Sequence, residues 1–165
     1  HFRNKCINKI YSAVLSNHLP YNPEQEVAEV YISLPIGQDL NSAIRIKQSV
    51  NPLGKKCQTH FREIKKLGDY SLVEVRTFTG RTHQIRVHAA HLGCSIVGDK
   101  LYGLPNDGFI SWLSEGDDYL RAQNFPLHRQ LLHALEIRFP HPVTSEEIVI
   151  RSDDNNMISE LEYNL

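Results

Sequence analysis

The sequence predicts a single α+β domain built on a mixed, mainly antiparallel sheet with a few short helices. A length of 165 residues is typical of one domain. Segments that alternate between apolar and polar residues are separated by turn-forming residues, a pattern typical of antiparallel strands. Only a few stretches show the helical period. No internal repeat or change of composition divides residues 1–165, so they are expected to fold together.

Four strands are expected in the first half of the chain. They are Lys9–Leu15, Val27–Leu34, Thr59–Ile64 and Tyr70–Arg76, all rich in residues that favour strands. The link Leu67-Gly68-Asp69 suits a hairpin between the last two. Residues 38–56 show no sustained period and contain Asn51-Pro52 and Gly54, so this stretch is expected to be a loop or a mobile arm.

A change of period after Gly80 predicts the first helix. Ile85, Ala89 and Leu92 are spaced i, i+4, i+7, which places them on one helix face. Thr82 is expected to cap the start of this helix, and Gly93 to take the left-handed conformation that ends many helices. The remaining expected elements are a helix over 109–120, strands over 131–139 and 146–150, and a terminal helix over 157–165.

The distribution of charge is more informative than its sum. Eighteen Lys and Arg against 19 Asp and Glu give a net charge of −1, unlike the strongly basic charge of many nucleic-acid binders. Between Arg45 and Lys66, however, seven basic residues face one acid, Glu63. This run is either an ordinary solvated face or a patch that contacts phosphates.

Several functional classes lack support in the sequence. Cys6, Cys57 and Cys94 are far apart with no CxxC pair, which argues against a disulfide framework or a cysteine-based zinc site and for a reducing compartment. No apolar stretch is long enough to span a membrane and His1–Ser16 lacks the features of a signal peptide, so a soluble, cytoplasmic protein is expected. The glycine-rich motifs for dinucleotides and triphosphates and the Gly-x-Ser-x-Gly elbow are absent as well.

The densest cluster of polar side chains runs from Gly80 to His91. His88 and His91 are three residues apart and share a helix face, but His83 lies off that face, so histidines that hydrogen-bond within the fold are expected rather than a metal site. An arginine early in this helix can pair bidentately with a carboxylate or a phosphate. From the residues alone, a structural ion pair and a functional arginine remain equally open.

One long block of the chain closely resembles the signature of the RluA-type pseudouridine synthases. The block consists of Thr79-Gly80-Arg81-Thr82-His83-Gln84-Ile85-Arg86-Val87-His88, then Leu92-Gly93, then Ile96-Val97-Gly98-Asp99-Lys100-Leu101-Tyr102-Gly103. Lys9-Ile10-Tyr11-Ser12-Ala13-Val14 resembles the family's Lys-x-Tyr-x-Ala strand. Further similarity lies in Gly54-Lys55 with Thr59-His60-Phe61, in Leu132-His133-Ala134 and in His141-Pro142, so the resemblance covers about Lys9 to Pro142. Cys94-Ser95 stands where His-Pro is commoner.

The resemblance implies an activity and a set of site residues. The family isomerises uridine to pseudouridine in structured RNA, ribosomal or transfer, without a cofactor, by flipping the base out, breaking its bond to the sugar and rejoining it through C5. Tyr11 matches the aromatic residue that holds the flipped base, and Arg86 matches the basic residue that pairs with the catalytic aspartate. Leu132 matches an apolar wall of the pocket, although Leu131 is the alternative.

Other residues match supporting positions, and one motif is missing. Arg81, His83 and Gln84 are expected to hold the turn or contact RNA, and Lys55 and Lys56 to bind it. The family's Arg-Leu-Asp-x-x-Thr-Ser-Gly motif, which carries the nucleophile, is absent from the sequence. We therefore expect the chain to be the C-terminal part of a catalytic domain, inactive alone, with the aspartate upstream. The alternative is a non-catalytic module that binds RNA through its basic residues, and the oligomeric state is left open.

Overall fold

In the computed structural model, which describes residues 7–21, 23, 27–105, 108–125, 129–153 and 155–164, the strands form one large and one small sheet. The strands are β1 (Asn8–Leu15), β2 (Glu29–Ile32), β3 (Ile36–Gln38), β4 (Gln48–Val50), β5 (Thr59–Leu67), β6 (Tyr70–Thr77), β7 (Leu132–Pro140) and β8 (Glu147–Arg151). The large sheet has the order β2-β5-β6-β1-β7-β8, and β3 pairs with β4 in the small one. Each pairing is antiparallel, which confirms the predicted fold class.

Four helices lie in the described parts of the chain, and the first and the last of them pack on opposite faces of the large sheet. They are α1 (Gln84–His91), α2 (Gly108–Glu115), α3 (Asp117–Ala122) and α4 (Asn155–Asn164). Neighbouring residues of β1 point to opposite faces, as the alternation of the strand requires. Ala13 packs in a core with Ile85 and Ala89 of α1, whereas Val14 packs in a second core with Met157 and Leu161 of α4. The second half of β1, residues 12–15, is therefore buried on both sides and anchors the partly exposed residues near the start of the strand.

The predicted hairpin between the third and fourth expected strands is confirmed. β5 and β6 pair along their length, and Gly68 adopts a left-handed φ of 61° in the turn between them. This conformation suits glycine, which has no Cβ to clash. β6 then runs straight into the turn that precedes α1, so the hairpin sets the position of that turn.

The prediction of a loop over residues 38–56 is wrong in part. β3 and β4 form a small sheet there, with Ile36 opposite Val50, and Ile36 also bridges to Lys55. Strands of three residues are too short to show an alternating period, which is why the pattern missed them. Gly54 permits the close approach, because a Cβ at this position would lie 2.4 Å from the carbonyl of Ile36.

The predicted boundaries of the helices are correct only in part. Thr82 is not the cap of α1: the helix starts one residue later than that would require, and His83, at φ 55°, occupies the cap position without a side-chain hydrogen bond. Gly93 does take the predicted left-handed conformation, with φ 73°. The helix expected over 109–120 is two helices, because Gly116 breaks it at φ 67°. The terminal helix begins earlier than predicted, and Leu165 lies outside the described residues.

No helix in the described parts of the chain is long and apolar enough to cross a membrane.

Candidate active-site cleft

A cleft of about 510 Å³ opens where β1, the end of β6, the start of α1 and the start of β7 meet. Its volume lies within the range of roughly 300–1,000 Å³ that is usual for small-ligand pockets. Six of the eight predicted site residues line it, namely Tyr11, Arg81, His83, Gln84, Arg86 and Leu132. The folding of the chain therefore brings together residues from three separate parts of the sequence.

Gln84 fixes the turn that carries the polar residues into the cleft. Its side chain is buried, and Oε1 accepts hydrogen bonds from the amide of Arg81 at 3.0 Å and from Oγ1 of Thr79 at 2.9 Å. Its Nε2 donates to the carbonyl of Gln58 at 2.8 Å and to Oγ1 of Thr59 at 3.0 Å. These contacts use both the oxygen and the nitrogen of the amide group in hydrogen bonds within the fold.

Arg86 is held by a buried carboxylate. Its Nε and Nη2 donate to Oδ2 and Oδ1 of Asp99, each at 2.7 Å, in a bidentate pair. The side chain of Asp99 is fully buried, and its Oδ1 also accepts from the amides of Leu101 and Tyr102 at 3.0 and 3.2 Å. This geometry fixes the plane of the guanidinium group, which lies over the ring of Tyr102 at 4.9 Å. Among the described residues, Nη1 of Arg86 has no hydrogen-bond partner.

His83 and Tyr102 form a second fixed pair beside Arg86. Burial, together with the charge of Arg86, lowers the pKa of His83, so the ring is neutral near pH 7. Burial raises the pKa of Tyr102 to about 12, and its hydroxyl accepts from the amide of Gln48 at 3.0 Å. The same hydroxyl lies 3.0 Å from Nδ1 of His83, within hydrogen-bonding distance. Through Gln48, this pair also connects the cleft to the small sheet.

Tyr11 on β1 and Leu132 on β7 both line the cleft, and in the pairing of these strands Tyr11 lies opposite Ala134 and Leu132 opposite Ala13. Tyr11 is half-buried against the core that includes α1, and this burial raises the pKa of its hydroxyl. Leu132, rather than Leu131, lines the cleft; Leu131 is fully buried in the core beside α4. Lys9, two residues before Tyr11 on the same strand face, lines the cleft as well.

The predicted lysines lie outside the cleft but near its rim. Lys55 and Lys56 are exposed in the segment that leads into β5. Nε of Arg81, which lines the cleft, donates to the carbonyl of Lys56 at 3.2 Å. This contact places the backbone of Lys56 next to a side chain that lines the cleft.

His88 of α1 is buried and forms hydrogen bonds within the fold. His88 is fully buried, with Nδ1 2.8 Å from Oγ1 of Thr59 and Nε2 3.1 Å from the carbonyl of Leu34. This confirms the prediction that a histidine here hydrogen-bonds within the fold. Within the described residues, no three His, Cys, Asp or Glu side chains are grouped so as to hold a metal ion.

Comparison with known proteins identifies the class to which this fold and cleft belong. A family model described as RNA pseudouridylate synthase matches residues 1–91. Human RNA pseudouridylate synthase domain containing 1 has a similar structure, with a TM-score of 0.68 and 26% identity over 92% of this chain and 56% of the human chain. A second human structure, domain containing 4, shares the fold with a TM-score of 0.63.

Several bacterial proteins are more similar to the chain in sequence than these human proteins are. An uncharacterized RNA pseudouridine synthase of Chloroflexus aurantiacus is 38% identical over 136 residues, 82% of this chain. The ribosomal large subunit pseudouridine synthases D of Xylella fastidiosa and C of Vibrio cholerae are 41% and 34% identical over 72% and 92% of it. The chain belongs to the RluA-type family of RNA pseudouridine synthases. It spans 35–42% of the length of these three relatives.

Three residues of the cleft region were not among the predicted site residues. Asp99 and Tyr102 belong to the Gly-Asp-x-x-Tyr-Gly block, which supported the resemblance but suggested no contact with Arg86. Lys9 was part of the Lys-x-Tyr pattern. The spacing of two residues in a strand, which puts both side chains on one face, was the signal that would have placed Lys9 beside Tyr11.

Proposed function

We propose that this chain provides most of the uridine-binding cleft of an RNA pseudouridine synthase. In the proposed reaction, the C1′–N1 bond of a flipped uridine breaks, the uracil turns within the cleft, and a C1′–C5 bond forms. C5 loses its proton and N1 gains one, so substrate and product are isomers and the reaction needs no oxidant or cofactor. The observation that carries the proposal is the meeting of Tyr11, Leu132 and Arg86 in one cleft of suitable size.

The proposed roles follow from how each side chain is held. Tyr11 directly precedes the half of β1 that is buried on both faces and packs against the core beside α1, so its ring is a firmly held surface on which a flipped base stacks. Leu132 supplies an apolar wall that excludes water. Arg86 is oriented by Asp99, and its Nη1 is available to a second carboxylate, whose ionised form a nearby cation stabilises.

The nucleophile requires a separate proposal. Asp99 is unsuited to this role, because its buried carboxylate already accepts four hydrogen bonds. The motif that carries the family's catalytic aspartate is absent from the 165 residues. We propose that an aspartate encoded upstream of residue 1 completes the site at Arg86, and that the 165 residues alone do not turn over.

The names of the relatives support ribosomal RNA as the substrate class. Two of them are named for the large ribosomal subunit. The exposed Lys55 and Lys56, together with Arg81, would contact phosphates at the rim of the cleft. The free thiols of Cys57 and Cys94 suit a reducing compartment, and we propose the cytoplasm.

The first test reads the coding sequence upstream of His1 and assays the complete gene product. We expect an in-frame Arg-Leu-Asp-x-x-Thr-Ser-Gly motif and the release of tritium from uridine labelled at C5 in ribosomal RNA transcripts. Arg86→Lys should lower the rate by at least about a hundred-fold, because the ammonium group of lysine cannot reproduce the planar, bidentate pairing that orients the guanidinium group. Tyr11→Leu, which removes the ring, should also slow turnover.

Arg121→Lys is the matched control, because Arg121 is exposed and pairs with Asp118 on the surface of α3. It should leave the rate unchanged. A normal rate in both cleft variants would show that the proposed roles are wrong. RNA binding by the complete gene product without isomerisation of ribosomal or transfer RNA would instead favour the non-catalytic RNA-binding module.

A further inference from the structure

Three aromatic rings lie in nearly parallel planes at the edge of the large sheet. The ring of Tyr31, on the edge strand β2, stacks on that of His60, on β5, with centroids 4.0 Å apart and planes 13° apart. Phe78, just after β6, lies 6.2 Å from Tyr31 at 21°. Tyr31 is 70% exposed and Phe78 50% exposed, whereas His60 is buried. We refer to Tyr31, His60 and Phe78 as the aromatic step.

The aromatic step is held rigidly by its surroundings. Tyr31 and His60 face each other in the pairing of β2 with β5. Nε2 of His60 lies 3.1 Å from Oε2 of Glu29, which fixes the ring on which Tyr31 rests. The amide of Phe78 donates to the carbonyl of Gln58 at 3.1 Å. A ligand that stacks here therefore meets rings that lose little conformational freedom on binding.

The position of the aromatic step relative to the cleft is its most informative feature. Single exposed apolar side chains are common on protein surfaces and need no explanation. Phe78, however, belongs both to the step and to the lining of the cleft, where Thr79, Gly80 and Arg81 follow it. The step is thus a continuation of the cleft onto the open surface of the sheet.

Cations and hydrogen-bonding groups lie next to the exposed rings. Arg81 contacts the carbonyl of Lys56, two residues before Gln58, so its positive charge lies on the same side of the cleft as Phe78. The side chain of Gln58 is exposed, and its Nε2 lies 3.4 Å from Oγ of Ser33, two residues after Tyr31. Stacking surfaces, a phosphate-binding charge and an exposed amide are what a single-stranded nucleotide requires.

We propose that the aromatic step binds an unpaired base of the RNA, next in the strand to the uridine that enters the cleft. This inference rests on the proposed function. The base packs on the exposed part of Tyr31, which is 70% exposed, Phe78 connects the step to the lining of the cleft, and Arg81 meets the phosphate that joins the two nucleotides. The side chain of Gln58 is placed to contact the edge of the stacked base, which would make the step a determinant of sequence preference.

The test uses the complete gene product and an RNA hairpin whose loop contains uridine with 2-aminopurine beside it. Stacking quenches 2-aminopurine fluorescence, so the signal reports on the neighbouring base without requiring turnover. We expect quenching with the wild type and with Tyr31→Phe, which keeps the ring. Tyr31→Leu keeps an apolar side chain but removes the ring, and should abolish the quenching and weaken binding about ten-fold. Val143→Ala, at an exposed position between β7 and β8, is the control and should bind normally.

The outcomes separate this inference from the proposed function. Equal quenching with Tyr31→Leu and the wild type would overturn the inference, and so would a failure of the wild type to bind the hairpin. Concentration-dependent dimerisation that Tyr31→Leu abolishes, without an effect on RNA binding, would also overturn it and assign the step to contact between two copies. Ring-dependent quenching without pseudouridine formation would support the aromatic step while refuting the proposed enzymatic function.

Discussion

Replacing Asp99 by asparagine tests how strongly one buried ion pair determines the geometry of the cleft. The substitution keeps the shape of the side chain and removes its charge. The new side-chain amide can place either its oxygen or its nitrogen at the position of Oδ1. With the oxygen there, it keeps the three contacts of Oδ1, with Nη2 of Arg86 and the backbone amides of Leu101 and Tyr102. The amide nitrogen then faces Nε of Arg86 where the carboxylate oxygen lay at 2.7 Å, and two donors oppose each other.

The expected loss of stability follows from burial. Removing one partner of a buried ion pair costs about 3–5 kcal/mol. The side chain of Arg86 retains 18% exposure, so water partly compensates its charge, and we expect a value near the lower limit, about 3 kcal/mol. For a chain of this size, each kcal/mol lowers Tm by about 2–4 °C, so Asp99→Asn should lower it by roughly 6–12 °C.

Urea-induced unfolding followed by circular dichroism measures this loss. The matched control is Asp118→Asn, which breaks an ion pair with Arg121 on the surface of α3, where both side chains are well exposed. This control should change the free energy of unfolding by less than about 0.5 kcal/mol. If Asp99→Asn proves no more harmful than Asp118→Asn, the argument that burial of the pair orients Arg86 is refuted.

Three further predictions concern the turn, a buried histidine and a glycine. Gln84→Met should lower the free energy of unfolding by about 2–4 kcal/mol in urea titrations, because it leaves several buried partners without hydrogen bonds. Burial lowers the pKa of His88 in the folded state. The contribution of the neutral ring to stability is therefore complete above the unfolded-state pKa of about 6.5, and it is lost as the pH falls through the folded-state pKa. The free energy of unfolding should consequently fall less steeply on acidification in His88→Gln than in His91→Gln. Gly98→Ala should cost more than about 4 kcal/mol, because its Cβ would lie 1.9 Å from a backbone oxygen, whereas Gly116→Ala, in open space, should cost only the roughly 1–3 kcal/mol of a strained backbone conformation in thermal unfolding.

Each of these predictions has an outcome that would contradict it. Gln123→Met changes an exposed glutamine at the end of α3, and a loss as large as that of Gln84→Met would show that the internal hydrogen bonds of Gln84 are unimportant. Parallel pH profiles for the two histidine variants would mean that the ring of His88 takes up protons as readily in the folded chain as in the unfolded chain. Similar losses for the two glycine variants would show that backbone conformation, rather than the steric clash, sets the cost at Gly98.

The elements that the sequence predicted best are those whose signal is local. The strand over Lys9–Leu15, the hairpin around Gly68 and the helix through Ile85 and Ala89 each have a period that repeats within a few residues. The small sheet of β3 and β4 escaped prediction, because its strands have three residues each and exist only through pairing with each other. The start of α1 was also misplaced, since the side chain of Gln84 stabilises the turn in place of the expected cap at Thr82.

The same distinction applies to the candidate site. The residue types and spacing of the block from Thr79 to Gly103 were enough to indicate the family, and family membership is confirmed by the comparisons. Arg86 was chosen from that block alone, with a structural ion pair and a functional role both open. The structure shows the ion pair with Asp99, and Nη1, which has no hydrogen-bond partner in the described part of the chain, leaves room for the proposed role as well.

By itself, the sequence determined the family, the fold class and the side chains available for chemistry, because these depend on residue identity and on short-range spacing. Only the tertiary structure decided that Asp99 orients Arg86, that Leu132 rather than Leu131 faces the cleft, and that Tyr31 stacks beside Phe78. The two contacts join residues that are distant along the chain. Leu131 and Leu132 are neighbours and differ in the side of the sheet that they face. The geometry of these contacts is set by strand register and by packing against the helices. Local sequence patterns encode neither the register nor the packing.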